Sequence, residues 1–544
     1  MKTRAKPQRI LFLFVIAVLA VGLVACTGNV TTPSGTPAAS AKPTTDSAKA
    51  SDAPPPPADT GELATLDWYI GLGEPLPDHK AVNTAINEYL KEKINANVNL
   101  IYWTSADWES KMTVMVSSGQ DLGIIGFGSQ SKLDYVVQSK AGSFYPIEAL
   151  LDKYPDTKKL FKDEVWNGMK INDHIYGIPS LKDNCYIMGF YYNKTLADEL
   201  GIDLKAAESL KGIAGAEAFF TDAMEKRTTK YGKVDEPIYL MNWTMEVPCW
   251  FAVETFLNDN NLAVCNIDGI MDIAGYDSNT VFNLYDTKEF RDGCLAMQRM
   301  AAANIIPYDY QDAAKMGEYG QSKMVLAFPN WGLTYVSPSF QSPNFDATVV
   351  PPARVWTDTN NYFSAGTAIS ANCKNPEAAM KVLNFVNTDT KFATMMRFGV
   401  EGVNYKRGAD GKMTFEGSNN ADTANRAYYY WYGAPIGNLT IVEAPTNMVG
   451  PNNEMMNLIN KYNSEAKIPA HLGFVFDTTP VANELAACTN VVLEYRDSLR
   501  FGQLGSADEV NKALDEFNKK LKDNGSEKII SEVQKQLDAW KGAK

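Results

Sequence analysis

The chain has 544 residues, 45% of them hydrophobic and 11% aromatic, with 51 Lys and Arg set against 64 Asp and Glu for a formal charge of -13 at pH 7. Such an acidic balance argues against nucleic acid as a partner, because that binding rests on Lys and Arg neutralising phosphates. The only histidines, His79, His174 and His471, leave no basis for a histidine-rich metal site, and no cofactor is expected.

At the start of the chain, Lys2, Arg4, Lys6 and Arg9 precede an apolar run from Ile10 to Ala25. A membrane-spanning helix needs ~20 apolar residues, so this shorter run reads as a cleaved signal. It ends Leu23-Val24-Ala25-Cys26, which resembles the lipobox of bacterial lipoproteins, where the residue matching Cys26 receives lipid and becomes the new N-terminus. The resemblance implies a protein anchored by lipid at the outer face of the cell membrane, in a Gram-positive type of bacterium. Losing the four basic residues takes the mature charge to about -17. Residues 26–62 then form a Thr, Ser, Pro and Ala-rich tether closing on Pro54-Pro55-Pro56-Pro57, with almost nothing to bury.

From Gly61 on, the length asks for two lobes. Leu63 to Leu72 reads as a strand, and Val82, Ile86, Tyr89, Leu90 and Ile94 recur at helical spacing, predicting a helix over Ala81 to Asn95. Val98 to Trp103 is a second strand, Ala106 to Ser117 a helix and Leu122 to Phe127 a third strand. In a β-α-β-α-β order of this kind, ligands sit beyond the carboxyl ends of the strands, here the turns Gly71 to Glu74, Thr104 to Trp108 and Gly126 to Gln130. Asp410-Gly411 between Tyr405 and Phe415 marks a hairpin turn. Near the end, Val510, Leu514, Phe517 and Leu521, then Ile530, Val533, Leu537 and Trp540, predict two amphipathic helices packed into a core.

Six cysteines remain once Cys26 is set aside: Cys185, Cys249, Cys265, Cys294, Cys373 and Cys488. They show no metal spacing, and the sequence leaves buried thiols and disulfides equally open. Catalytic motifs fare no better. Ser129-Gln130-Ser131-Lys132 fits Ser-x-x-Lys, but no Lys-Thr-Gly follows, and nucleophile elbow, zinc helix and P-loop are missing. A carboxylate pair for glycoside hydrolysis is spatial, so the sequence neither supports nor removes it. The expectation is a protein that is not an enzyme.

Several passages carry a family resemblance. Leu66-Asp67-Trp68-Tyr69, Asn87 to Ala96, Lys111-Met112 with Ser118-Gly119, Ile175-Tyr176-Gly177-Ile178-Pro179 followed by Phe190-Tyr191-Tyr192-Asn193-Lys194, Pro376 to Lys381, and Phe398 to Gly402 resemble the extracellular solute-binding lipoproteins of ABC importers. Residues from Gly473 to Trp540 are similar to the uncharacterised C-terminal domain of LipO-like members, while Gly212 to Gly320 matches little. The resemblance implies a two-lobe, α/β, type II periplasmic-binding-protein-like Venus flytrap with mixed, mostly parallel sheets flanked by helices. The expected division is 63–189 and 364–470 in lobe 1, and 190–363 and 471–544 in lobe 2. Crossing segments are expected at Gly189 to Asn193, at Tyr362 to Ile369 and somewhere between Pro435 and Phe474.

The implied function is capture of a mono- or oligosaccharide in the cleft, delivery to permease subunits by hinge closure, and action as a monomer. Aromatic faces suit sugar rings where a polar partner lies nearby, although aromatic side chains serve more often as core. The candidate contacts are Trp103 with Asp107, Trp243 with Glu246, Asn330 with Trp331, and Trp356 beside Asp358. Tyr362, the strand-end residues Glu74, Phe127 and Gln130, and Glu401 complete the set, with the run Tyr428 to Tyr432 as a further aromatic loop. A peptide-binding or other solute-sensing lipoprotein, and a secreted glycosidase, are the rival readings.

Overall fold

The computed structural model of the protein describes residues 61–543 apart from 72, 74, 104, 129–132, 208–209, 211, 241–250, 258–259, 271–272, 309–311, 332–346, 351–354, 410, 416–426, 431–434 and 446–453. The described residues belong to one compact unit, Pro54–Lys544. The signal, Cys26, the tether up to Thr60, and Glu74, Gln130, Trp243, Glu246 and Cys249 lie outside them.

The opening alternation takes the expected form: β1 (Ala64–Ile70), α1 (His79–Ile94), β2 (Ala96–Tyr102), α2 (Ser105–Ser117) and β3 (Ile124–Phe127). Helix α1 exists because Val82, Ile86 and Leu90 fall every fourth residue and bury completely. It stops at Asn95, which takes the left-handed conformation at φ 52° that asparagine tolerates. Its register on the sheet is set by Asn87, whose amide donates to the Val98 carbonyl at 2.9 Å and accepts from the Val98 N–H at 2.7 Å. The chain continues through β4 (Gly177–Pro179), β5 (Tyr186–Asn193), β6 (Ala327–Trp331), β7 (Ala347–Val350), β8 (Val355–Trp356) and β9 (Gly366–Ile369).

Lobe 1 is built on a sheet of order β2-β1-β3-β9-β4. The pairs β1–β2 and β1–β3 are parallel, whereas β9 runs antiparallel to both its neighbours. In lobe 2, β5 is flanked by β6 and β7 and joined further along by β8, all antiparallel to it. Among the described residues the parallel ladders of these two sheets are β1–β2 and β1–β3, with isolated parallel bridges elsewhere, narrower than the mostly parallel sheets expected. The reason is topological: β9 re-enters from the edge at which β4 leaves.

Two large hydrophobic cores, with smaller clusters beside them, result among the described residues. The lobe 1 core takes buried residues from Leu66 through Leu181 and again from Tyr362 through Leu472. The lobe 2 core takes them from Tyr192 through Ala327 and again from Phe474 through Leu537. Its helices are α3 (Gly212–Tyr231), α4 (Lys288–Ala302), α5 (Ala482–Arg500), α6 (Ala507–Asp523) and α7 (Ser526–Ala543). Helix α6 begins where Ser506 accepts from the Glu509 N–H, and it buries Val510, Leu514, Phe517 and Leu521 as its spacing required. In α7 the buried row is Ile529, Val533 and Leu537; Ile530 is only partly buried, one position off the expected face. Cys185, Cys265, Cys294, Cys373 and Cys488 are all buried and form no disulfide among the described residues.

Candidate ligand-binding site

Strands β1, β2 and β3 end at Ile70, Tyr102 and Phe127, on one edge of the lobe 1 sheet. The ladder pairs Gly366 with both Phe127 and Pro179, so β4 ends on that edge too. From there the chain departs for β5, and through the short helix Thr359–Phe363 it returns to β9. Lobe 2 is thus reached from the carboxyl edge of the parallel strands, the edge at which α/β sheets bind ligands. Gly128 seals this edge: at φ 113° a Cβ there would sit 2.1 Å from the Ser364 carbonyl oxygen, a position only glycine fits.

Trp103 stands on this edge, half-buried. Its carbonyl accepts from the Gly73 N–H at 3.0 Å, fixing the turn after β1 against the end of β2. The ring lies edge-on to Tyr69 at 5.5 Å and to Trp108 at 5.9 Å, with the Lys111 ammonium 5.4 Å from its centre. Trp108 itself is fully buried, and its indole N–H has no hydrogen-bond partner among the described residues. Burial, with the neighbouring Asp67 carboxylate, pushes the Tyr69 hydroxyl up to about 12, so it stays a neutral donor. A tryptophan packed edge-on by Tyr69 and Trp108 and still partly exposed can stack an apolar ligand face.

The crossing strands meet at one place. Tyr186 and Ile187 pair with Trp356 and Val355, and Trp356 is bridged on its other side by Lys467. The Thr357 N–H donates to the Lys467 carbonyl and the Lys467 N–H to the Val355 carbonyl, each at 3.0 Å. Asn463 joins in, accepting from the Asn184 N–H at 2.9 Å and donating to the Lys182 carbonyl at 2.5 Å. The Tyr186 hydroxyl donates to Asp358 at 2.8 Å. Burial holds the Asp358 carboxyl above the usual carboxylate range, with these donors pulling the other way. The third crossing follows directly: Leu472 belongs to the lobe 1 core, Phe474 to the lobe 2 core, and His471 pairs with Glu254 at 2.9 Å.

Several sequence candidates prove to be packing residues in this structure. Phe127 is fully buried, its ring covering Gly177 and Gly366, where any Cβ would collide with it. Trp356 is 3% exposed and stacks on Tyr186 at 5.2 Å, inside the hinge. Its neighbour Asp358 caps the helix Thr359–Phe363 by accepting from the Asn361 N–H. Tyr362 is buried edge-on to Phe161 in the lobe 1 core. Glu401 is exposed and paired with Arg407 at 3.1 Å. Tyr428 and Tyr430 are core residues: Tyr430 stacks on Tyr102 at 5.1 Å and Tyr428 shares a hydrogen bond with the Tyr102 hydroxyl. Asp107 lies on α2, and Asn330 and Trp331 lie on β6, where they register with Gly189 and Met188 of the crossing strand. The crossing residues Asn184, Tyr186, Asn463 and His471 are not among the contacts expected from sequence. Their partners lie far along the chain, and no local spacing announces them.

Comparison with known proteins bears on this arrangement. A protein from Streptococcus pneumoniae serotype 4, named carbohydrate ABC transporter substrate-binding protein, is 25% identical over 496 residues, covering 89% of this chain and 92% of its own. The crystal structure of the N-glycan transport solute binding protein NgtS from Streptococcus pneumoniae superposes with a TM-score of 0.69 at 22% identity, covering 88% and 98% of the two chains. The fold is that of an ABC-importer solute-binding protein. An extracellular solute-binding protein from Bifidobacterium longum subsp. infantis matches at TM-score 0.56 and 15% identity, over 89% and 99%. Residues 470–542 match the family described as domain of unknown function DUF3502. Among the described residues no helix is long and apolar enough to cross a membrane, and no group of His, Cys, Asp and Glu could hold a metal ion.

Proposed function

We propose that the chain is the substrate-binding component of an ABC importer that captures a carbohydrate between its lobes. The observation that carries this reading is the convergence, on one edge of the lobe 1 sheet, of three parallel strand ends, the half-buried Trp103 and the crossings to lobe 2. The full-length resemblance to a carbohydrate transporter's binding protein supports the sugar class. So does NgtS, which has been crystallised with Man1GlcNAc and Man5GlcNAc.

In this reading lobe 1 comprises 63–189 and 364–470, and lobe 2 comprises 190–363 and 471–544. The two lobes close on the sugar by rotation at the crossing strands, and the closed form is what the permease subunits recognise. Ligand favours closure only by its differential affinity for the closed state. The mechanism is capture without bond breaking. Lipid on Cys26 holds a monomer at the outer face of the membrane, with the tether residues as slack. Trp103 stacks the sugar, and Asp107, Asn330, Trp331, Trp243 and Glu246 are the polar and aromatic groups proposed to complete the cleft, with Glu74 and Gln130 in its turns.

Differential scanning fluorimetry against monosaccharides, Man5GlcNAc, other oligosaccharides and peptides tests the class, since a ligand of the native state raises the melting temperature. A sugar that raises it and survives incubation intact supports the reading. A peptide that raises it while no sugar does, or a sugar that is cleaved, overturns it.

A further inference from the structure

His471 sits where the third crossing passes between the cores, three residues before Phe474 enters lobe 2 and one before Leu472 leaves lobe 1. On one side Lys467 is bonded to β8; on the other the Gly473 N–H donates to Thr359 at 2.9 Å, with Gly473 pressed against the backbone of Gly168. The imidazole is 1% exposed. Its Nδ1 lies 2.9 Å from Glu254, which is 3% exposed on the strand Val253–Thr255. Its Nε2 faces the Asn279 side-chain oxygen at 3.4 Å.

The orientation of Asn279 follows from its other neighbour. The Lys541 ammonium, which can only donate, reaches the same oxygen at 3.1 Å. Both ring nitrogens of His471 therefore face acceptors, the arrangement suited to an imidazolium. Asn279 is held from the last helix, since Gln534 donates to its carbonyl at 3.1 Å and accepts from the Val281 N–H at 2.8 Å. Glu254 lies opposite the Cys265 thiol on the paired strand and within electrostatic reach of Asp358 at the cap beside the crossing, while Lys541 and Asp538 from α7 and Asp277, on the same turn as Asn279, act on that thiol. The second oxygen of Glu254 is buried without a hydrogen-bond partner among the described residues.

We propose that Glu254 and His471 form a proton-dependent latch that fastens the third crossing to lobe 2. With one proton between them the pair is neutral as a whole. A second proton leaves a buried imidazolium against an uncharged carboxyl, and loss of the proton leaves a buried carboxylate near Asp358; either change loosens the crossing.

The test uses the full mature chain. Hydrogen exchange of residues 467–476, corrected for intrinsic rates, and small-angle scattering are followed across pH without ligand. The wild type is expected to show highest protection at intermediate pH, falling on both sides. Glu254→Gln and His471→Gln should give flat profiles at a lower level, with the wild-type melting profile recovered by neither. A second arm measures affinity for Man5GlcNAc, or for whichever sugar stabilises the protein. It should weaken by about tenfold in Glu254→Gln at the wild-type optimum. This arm alone rests on the proposed ligand class, so a failure of the sugar reading leaves the ligand-free arm standing. Equal pH profiles of exchange in wild type and variants would overturn the latch. So would a uniform loss of melting temperature with the pH profile of exchange retained, because that is what a merely structural contact gives.

Discussion

Lobe 1 and lobe 2 reach similar core sizes by opposite routes. Lobe 1 starts from a contiguous β-α-β-α-β run, in which neighbouring strands pair directly and α1 packs on the strand that follows it. Lobe 2 has a small antiparallel sheet borrowed from the crossing strands, and most of its core is helical. Its last layer, α5 to α7, joins from beyond residue 480 after the chain has revisited lobe 1. The lesson is that the C-terminal region is a structural part of lobe 2, whose core depends on packing between segments far apart in the chain.

The sharpest way to break this contrast is Phe517→Ala. Its ring is 1% exposed and lies 5.1 Å from Tyr285 and 5.3 Å from Tyr495, so it joins α6 to the body of lobe 2. Removing it should cost about 3–5 kcal/mol of lobe 2 stability. Calorimetry should then show lobe 2 melting ahead of lobe 1; a single transition displaced as a whole would mean that the cores do not unfold separately. Next in size is Gly128→Ala, which forces a Cβ onto Ser364 at the edge of lobe 1 and should cost about 1–3 kcal/mol. Denaturant titration should place that loss in lobe 1.

Trp103→Ala separates binding from folding. With the ring only half-buried, melting should shift little while sugar affinity falls by about tenfold, read by isothermal titration. An unchanged affinity would move the ligand platform to lobe 2. Asp358→Asn probes the hinge. Burial raises the Asp358 carboxyl, so its contribution to stability is fully present below the unfolded pKa and is lost as pH rises through the folded value. The variant should remove that acid-side gain while keeping the cap, which melting curves at a series of pH values will show. The smallest effect is expected from Lys288→Ala, whose partner Asp292 lies on the exposed face of α4; no measurable change in melting should follow.

The sequence made lobe 1 readable because its signals are local. The four-residue recurrence of Val82, Ile86 and Leu90 and the short apolar strand before Gly128 each specify an element without help from elsewhere. The antiparallel return of β9 was hidden, since it depends on a crossing from another lobe. Trp356 shows how a site can be misplaced: Asp358 beside it looked like a sugar-bonding carboxylate, yet Asp-Thr-Asn-Asn is also a helix start, and capping is what the aspartate does. From sequence Tyr428 and Tyr430 look like an open loop, because their partner Tyr102 is more than 300 residues away. Trp103 was legible, since a strand end followed by a turn places it at an edge whatever the distant contacts are.

Both cores are discontinuous, one closing only with Leu472 and the other only with Leu537. For a chain that emerges N-terminus first, neither lobe can complete its interior until nearly the whole polypeptide is present. The interleaved topology thus delays folding, and both lobes set almost together once the last helices arrive.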